Sequence, residues 1–147
     1  STASAWGVAY EVGKLTKNYD LVIIDTPPKA DSDLRPALRV ADLVVVPVAA
    51  SHVDLWATEG VLDLAHRERR RALIALNRIK SNTRLGTEIA QSASELDATL
   101  AQSTLANRVA YAEASGQGKA VREMPRAKIA ADEVEMLFDE ILGLLSS

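Results

Sequence analysis

Cysteine is absent from the 147 residues, which excludes disulfides, thiolate metal sites and iron–sulfur clusters. Two histidines are too few for the imidazole-rich sites that zinc favours. Aromatic residues make up only 4% of the chain, so a core has to be built from Ala, Val, Leu and Ile. No charge of one sign dominates: 17 Lys and Arg stand against 20 Asp and Glu, a net charge of −3. Global attraction to nucleic acid or an anionic membrane is therefore excluded, and any basic site must be a local patch. Long apolar runs are missing too. The longest, residues 43–50, is far too short to span a bilayer. The first residues, Ser-Thr-Ala-Ser-Ala, offer neither a basic n-region nor an apolar h-region, so no signal peptide is read there and a cytoplasmic location is expected. What remains is ordinary for a globular protein, with 48% apolar and 25% charged residues, and a single domain over residues 1–147 is expected.

The most informative stretch is Tyr-Asp-Leu-Val-Ile-Ile-Asp-Thr-Pro-Pro at residues 19–28. Its aliphatic run, residues 21–24, shows no polar alternation and reads as a strand buried on both faces, as in a parallel sheet. Pro27 and Pro28 lack a backbone N–H, so the strand should stop there and leave Asp25 at its carboxyl end. That edge of an open α/β sheet is where ligands bind, and a carboxylate there suits a hydrated magnesium ion. The same residues also suit an acid that merely ends a strand and caps the next turn.

Strand and helix patterns alternate from end to end. Helices are expected over residues 3–16, 31–40 (capped by Asp31 or Ser32), 54–69, 86–96 and 109–114, and a last one opened by Pro125. Strands are expected over residues 21–24, 42–51 and 72–76, with a weaker one at 98–102. The first two strands with the helix between them read as a βαβ unit. The alternation argues for an α/β fold with a doubly wound, mostly parallel sheet. Its carboxyl edge would gather Asp25, residues 47–51, Asn77 with Arg78, and Asn107 with Arg108. Side-chain amides both donate and accept, as reading a purine edge requires, although asparagines also tolerate turn geometry at strand ends.

The run at residues 19–28 resembles the Walker B and switch II segment of the ParA/MinD family of deviant-Walker P-loop ATPases. Residues 37–47, Ala-Leu-Arg-Val-Ala-Asp-Leu-Val-Val-Val-Pro, resemble the family's next block. Ala-Leu-Asn-Arg-Ile at 75–79 is similar to its adenine-contacting strand, and residues 107–118 to its late base-proximal loop and helix. Each block alone is weak; their order over nearly the whole chain is specific. The resemblance implies that Asp25 holds magnesium through a water and that Thr26 and Pro27 belong to the switch sensing the γ-phosphate. It implies further that Asn77, Arg78 and Asn107 surround the adenine. It also implies ATP and Mg2+ as cofactors, an ATP-dependent homodimer, nonspecific DNA as partner with location on the nucleoid, and a ParB-like or cargo-adaptor activator. The cargo would be a plasmid, a chromosome or a protein cluster. Candidates for the DNA contact are Arg67, Arg70, Arg71, Lys80, Arg84 and Arg122. Cations near a helix end also have a purely structural reading.

One departure is large. The phosphate-binding loop G-x-x-x-x-G-K-[ST] occurs nowhere in this sequence, and Gly116-Gln117-Gly118-Lys119 lacks both its spacing and its hydroxyl. The chain is therefore expected to be the carboxyl-terminal part of a longer ATPase, lacking the P-loop and the amino-terminal strands and inactive in isolation. It would also expose an apolar sheet edge that favours self-association. Two other readings are a non-catalytic adaptor that lost its P-loop and a receiver-type phosphoacceptor module. The receiver needs an acidic pair upstream of Asp25, and Glu11 and Asp20 are unsuitably placed. The acidic final helix argues against membrane targeting.

Overall fold

A computed structural model of the chain describes residues 1–26, 34–80 and 83–147. A short 3-10 turn, Ala5–Gly7, leads into α1 (Val8–Leu15), and α2 (Arg35–Val40) packs against both. The sheet then begins with β1 (Leu43–Ala49), followed by α3 (His52–Arg67), β2 (Arg71–Ile79) and α4 (Arg84–Ser94). Two short strands, β3 (Thr99–Leu100) and β4 (Leu105–Ala106), precede α5 (Val109–Gly116), a 3-10 turn at Val121–Glu123 and the long α6 (Lys128–Leu145). Every ladder is parallel, and all of them involve β2. It pairs with β1 along one side and with β3 and β4 in tandem along the other. The α/β class with a parallel sheet is as expected.

Parallel pairing needs a crossover, and α3 supplies it between β1 and β2. In register, Val46 lies beside Ile74 and Val48 beside Leu76. These four share a face and form the main core with Leu55 and Leu62 of α3 and Ile89 and Ala93 of α4. Leu73 and Ala75, pointing the other way, are buried as well, whereas Val45 beside Leu73 is 38% exposed. β2 is thus covered on both faces and β1 on one, which explains an unbroken apolar run in each with different burial. Glu133 and Glu140 of α6 sit on the helix face that carries Ala130, Leu137 and Leu144. A second small core joins Ala114, Val121, Ala127 and Ala130 around α5 and α6.

Four expectations need correction. Residues 21–26 form no strand; they are unpaired, with Ile23 83% exposed, so an apolar run without a ladder partner has stayed coil. The βαβ unit is accordingly β1–α3–β2, not one built on residues 21–24. The strand expected at 98–102 is short and interrupted, because Gln102 and Ser103 donate their N–H groups to the Glu140 carboxylate rather than to β2. The last helix starts at Lys128, since successive turns close from Met124 N to the Val121 carbonyl and from Ala127 N to the Met124 carbonyl before it. Pro27, Pro28, Asp31 and Ser32 lie outside the described residues.

α4 illustrates how local chemistry sets an element. Thr83 Oγ1 accepts from Gly86 N at 3.2 Å and donates to the Lys80 carbonyl at 2.9 Å, so it caps the helix and ties its start to the end of β2. Thr83→Ala is expected to cost about 1 kcal/mol, read as a lower urea midpoint at unchanged slope. An unchanged midpoint would show that the cap contributes nothing.

Candidate functional site

Because the strands run the same way, the carboxyl ends of β1, β2 and β4 meet on one edge. Asn77 lies beside Ala49 on one side and Leu105 on the other, and Ile79 beside Ala106. Between them the ladder slips by a residue at Arg78, whose φ of 55° is the left-handed conformation of a bulge. Asn77 Oδ1 accepts from Arg78 N at 2.9 Å, which steadies that strained residue and fixes the amide. One step beyond β4, Asn107 donates its N–H to the Ile79 carbonyl at 2.9 Å and leaves its side chain exposed. Asn77, Arg78 and Asn107 are therefore brought together on one edge.

The same edge receives helix starts. α3 begins directly after β1, with Ser51 Oγ accepting from Val53 N at 3.2 Å, and α5 begins after Arg108 with no side-chain cap. Uncapped N–H groups and the helix dipole make such an edge attractive to anions.

Behind it stands a polar clamp on which sequence reasoning placed no role. Glu133 accepts from Ala106 N (3.2 Å), Arg108 Nε (2.9 Å), Arg108 Nη2 (2.6 Å) and Tyr111 Oη (2.9 Å). Burial pushes its carboxyl upward, but the bonds from Arg108, Tyr111 and the Ala106 amide outweigh this, so its pKa lies below the ordinary value. Burial, and then the bond to Glu133, pushes Tyr111 up to about 12. Glu140, seven residues further along α6, repeats the device on Gln102 N (2.8 Å) and Ser103 N (2.6 Å). A signal was present in the sequence. Ala130, Glu133, Leu137, Glu140 and Leu144 follow an inward-facing helical spacing, and acids at core positions call for buried donors.

The other expected residues do not form one group with these three. Asp25 and Thr26 are exposed coil, and among the described residues neither makes a hydrogen bond to this edge; Pro27 is outside the description. Arg67 ends α3 and Arg71 opens β2, both exposed, at the amino end of the sheet. Arg70, beside them, is half-buried and donates Nη2 to the Arg39 carbonyl, while its buried Nε has no partner. Arg39 in turn pairs with Glu68 at 2.9 Å. A cleft of about 410 Å³ opens here between Leu43, Leu62, Arg70, Arg71 and Leu144. Lys80 and Arg84 lie past the opposite end of the nine-residue β2, roughly 30 Å away. Arg84 pairs with Glu88 at 2.7 Å, and Arg122, on the turn before α6, lies 3.7 Å from Glu135. The six cations thus fall into separate groups.

The family's magnesium and nucleotide can be tested against these donors. Among the described residues no three His, Asp or Glu side chains cluster as a metal cage. A single carboxylate such as Asp25 fits a magnesium ion that keeps its waters and takes phosphate oxygens, but not an ion held by protein alone. The amides of Asn77 and Asn107 fit the base end of a nucleotide. The glycine–lysine cradle for its phosphates is absent from the sequence. No helix among the described residues is long and apolar enough to cross a membrane.

Comparison with known proteins bears on the family and the fold. Residues 7–81, about half the chain, match the family described as AAA domain. The chain is 24% identical over 132 residues to the maintenance of carboxysome distribution protein A of Halothiobacillus neapolitanus, covering 85% of this chain and 61% of that protein. Its fold matches a plasmid partition protein of Borrelia burgdorferi with a TM-score of 0.64 at 18% identity, over 92% of this chain and 53% of that one. The chain therefore spans little more than half the length of either relative.

Proposed function

From the premise that this chain belongs to the AAA domain family of ParA-like P-loop ATPases, we propose that it is the base-binding portion of an ATPase that positions large intracellular cargo. The carboxyl edge carries this reading, where Asn77, Arg78 and Asn107 converge beside the starts of α3 and α5. Asn77 and Asn107 would hold the adenine edge, and Asp25 a water-bound magnesium ion, with Thr26 and Pro27 in the segment that senses the terminal phosphate. When bound, magnesium would supply charge neutralisation at the phosphates. The residues of this chain orient the base; phosphate capture requires a loop that this sequence lacks.

ATP-dependent dimerisation and nonspecific DNA binding complete the proposal. Exposed Arg67 and Arg71, with Arg70 beside them, form the largest local excess of positive charge, while Lys80, Arg84 and Arg122 are secondary candidates. Contacts with phosphates need only cations on one face. A protein partner that chooses cargo and stimulates hydrolysis fits the same reading. The relatives' names, one concerned with carboxysome distribution and one with plasmid partition, support a positioning role.

The test compares the isolated chain with the same chain joined to a phosphate-binding loop. The joined protein is expected to sediment as a dimer and to bind random duplex DNA only with ATP and magnesium. Replacing Arg67 or Arg71 with alanine should reduce the slope of log affinity against log salt by about one. The isolated chain is expected to turn over no ATP. Hydrolysis by that chain, or DNA binding indifferent to nucleotide, would overturn the proposal.

A further inference from the structure

We infer that Glu133 is a positioning residue for base selectivity, acting through the Ala106–Asn107–Arg108 segment; this rests on the nucleotide reading above. Asn107 is held from both sides in sequence. Its own N–H is committed to the Ile79 carbonyl at 2.9 Å, which ties it to β2. The residue before it donates its N–H to Glu133 Oε2 at 3.2 Å, and the residue after it gives two guanidinium N–H groups to Glu133 Oε1 at 2.9 and 2.6 Å. Tyr111 Oη, on the first turn of α5, occupies the remaining position on Oε2 at 2.9 Å. Each carboxylate oxygen thus accepts two hydrogen bonds, and one side chain of α6 holds the backbone N–H before Asn107 and the guanidinium after it.

Geometry of this kind matters more for selection than for stability. The Glu133 side chain is 16% exposed and that of Arg108 35%, so the pair is sheltered enough to hold its geometry. The Asn107 side chain makes no hydrogen bond to the protein among the described residues and is available to a ligand. An amide discriminates between purines only if its donor and acceptor are aimed, because adenine and guanine exchange donor for acceptor along that edge. The clamp also places a fixed negative charge beside the start of α5, where the helix dipole stabilises it. That charge keeps the Arg108 guanidinium turned toward α6 and away from the edge where Asn107 stands.

The experiment uses the joined protein with its phosphate-binding loop, and fluorescent analogues of ATP and GTP as probes. Wild type is expected to prefer the adenine nucleotide. Glu133→Gln keeps the side-chain volume but removes the charge and one acceptor, and should reduce that preference about 10-fold while leaving affinity for inorganic triphosphate unchanged. Amide exchange at Ala106, whose N–H is bonded to Glu133, should accelerate while that of β2 stays slow. Tyr111→Phe, which removes one of the four bonds to Glu133 together with the longer contact to the Ala130 carbonyl, is the milder variant if E133Q does not fold, with a smaller shift in the same direction. Asn107→Ala should abolish the preference with the clamp intact. Equal losses for ATP, GTP and triphosphate in E133Q, or an unchanged preference, would overturn the positioning role while leaving the nucleotide reading standing. A wild type that binds no nucleotide overturns the nucleotide reading, and this inference with it.

Discussion

Replacing Ile74 with alanine is expected to cost about 3–5 kcal/mol, a large fraction of the roughly 5–15 kcal/mol of stability that a domain commonly has. Ile74 is fully buried in the middle of β2, between Val46 of β1 and Leu100 of β3, and faces the helices that carry Leu62 and Ile89. A cavity there cannot close easily, because hydrogen-bonded ladders hold the backbone on both sides. Urea unfolding should show the loss as a lower midpoint with the slope preserved. Val45→Ala, on the open face of β1, is the internal comparison and should cost less than about 1 kcal/mol. Similar losses at the two positions would contradict the assignment of a covered β2 and a half-covered β1.

Glu140→Leu should cost roughly 2 kcal/mol, through the amides it leaves behind. Ser103 is buried, and its N–H at 2.6 Å has only the carboxylate as partner; Gln102 is exposed, so water can replace the bond at 2.8 Å. Glu140→Gln, which keeps one acceptor oxygen, should lose about half as much. The effect also depends on pH. Burial raises the Glu140 carboxyl, but hydrogen bonds from Ser103 and Gln102 lower it further, leaving it below its ordinary value of 4.5. A carboxyl lowered in the folded state stabilises fully above its unfolded pKa, and the contribution disappears as pH falls through the folded pKa. Glu133 behaves likewise. Wild type should therefore lose stability below about pH 4.5 more steeply than Glu140→Gln, as thermal melts across that range would show. Tyr111 works in the other direction. Its raised pKa of about 12 stabilises the fold below pH 10 and loses that effect between 10 and 12. Parallel acid profiles for wild type and Glu140→Gln would refute the role given to this carboxylate.

Much of the sheet was legible because burial leaves a direct trace in composition. The runs at 43–50 and 72–76 became β1 and β2, and the asparagine past the second run does stand on the carboxyl edge. The same rule failed at residues 21–24. An apolar run specifies a strand only where a neighbour supplies the ladder, and among the described residues β1 is paired with β2 alone. Ile23 consequently faces solvent, and Asp25 has no strand to end. The base side of the candidate site could be read from strand ends. Its support could not be read there, because Glu133 and Glu140 reach back 22 to 38 residues to their partners. Read as a polar helix face they look like solvated acids; read against Ala130, Leu137 and Leu144 they point inward.

The position of β2 at the centre of every ladder has a consequence for biosynthesis. The first residue of β1, Leu43, pairs beside Arg71, so β1 leaves the ribosome with nothing to pair with until β2 follows. At ordinary translation rates that interval lasts a few seconds, roughly 1–6 s. During it, an apolar strand and the exposed underside of α3 are available to chaperones or to neighbouring nascent chains. Slowing translation between the two strands should therefore lower the soluble yield, whereas the same pause after residue 79 should leave it unchanged.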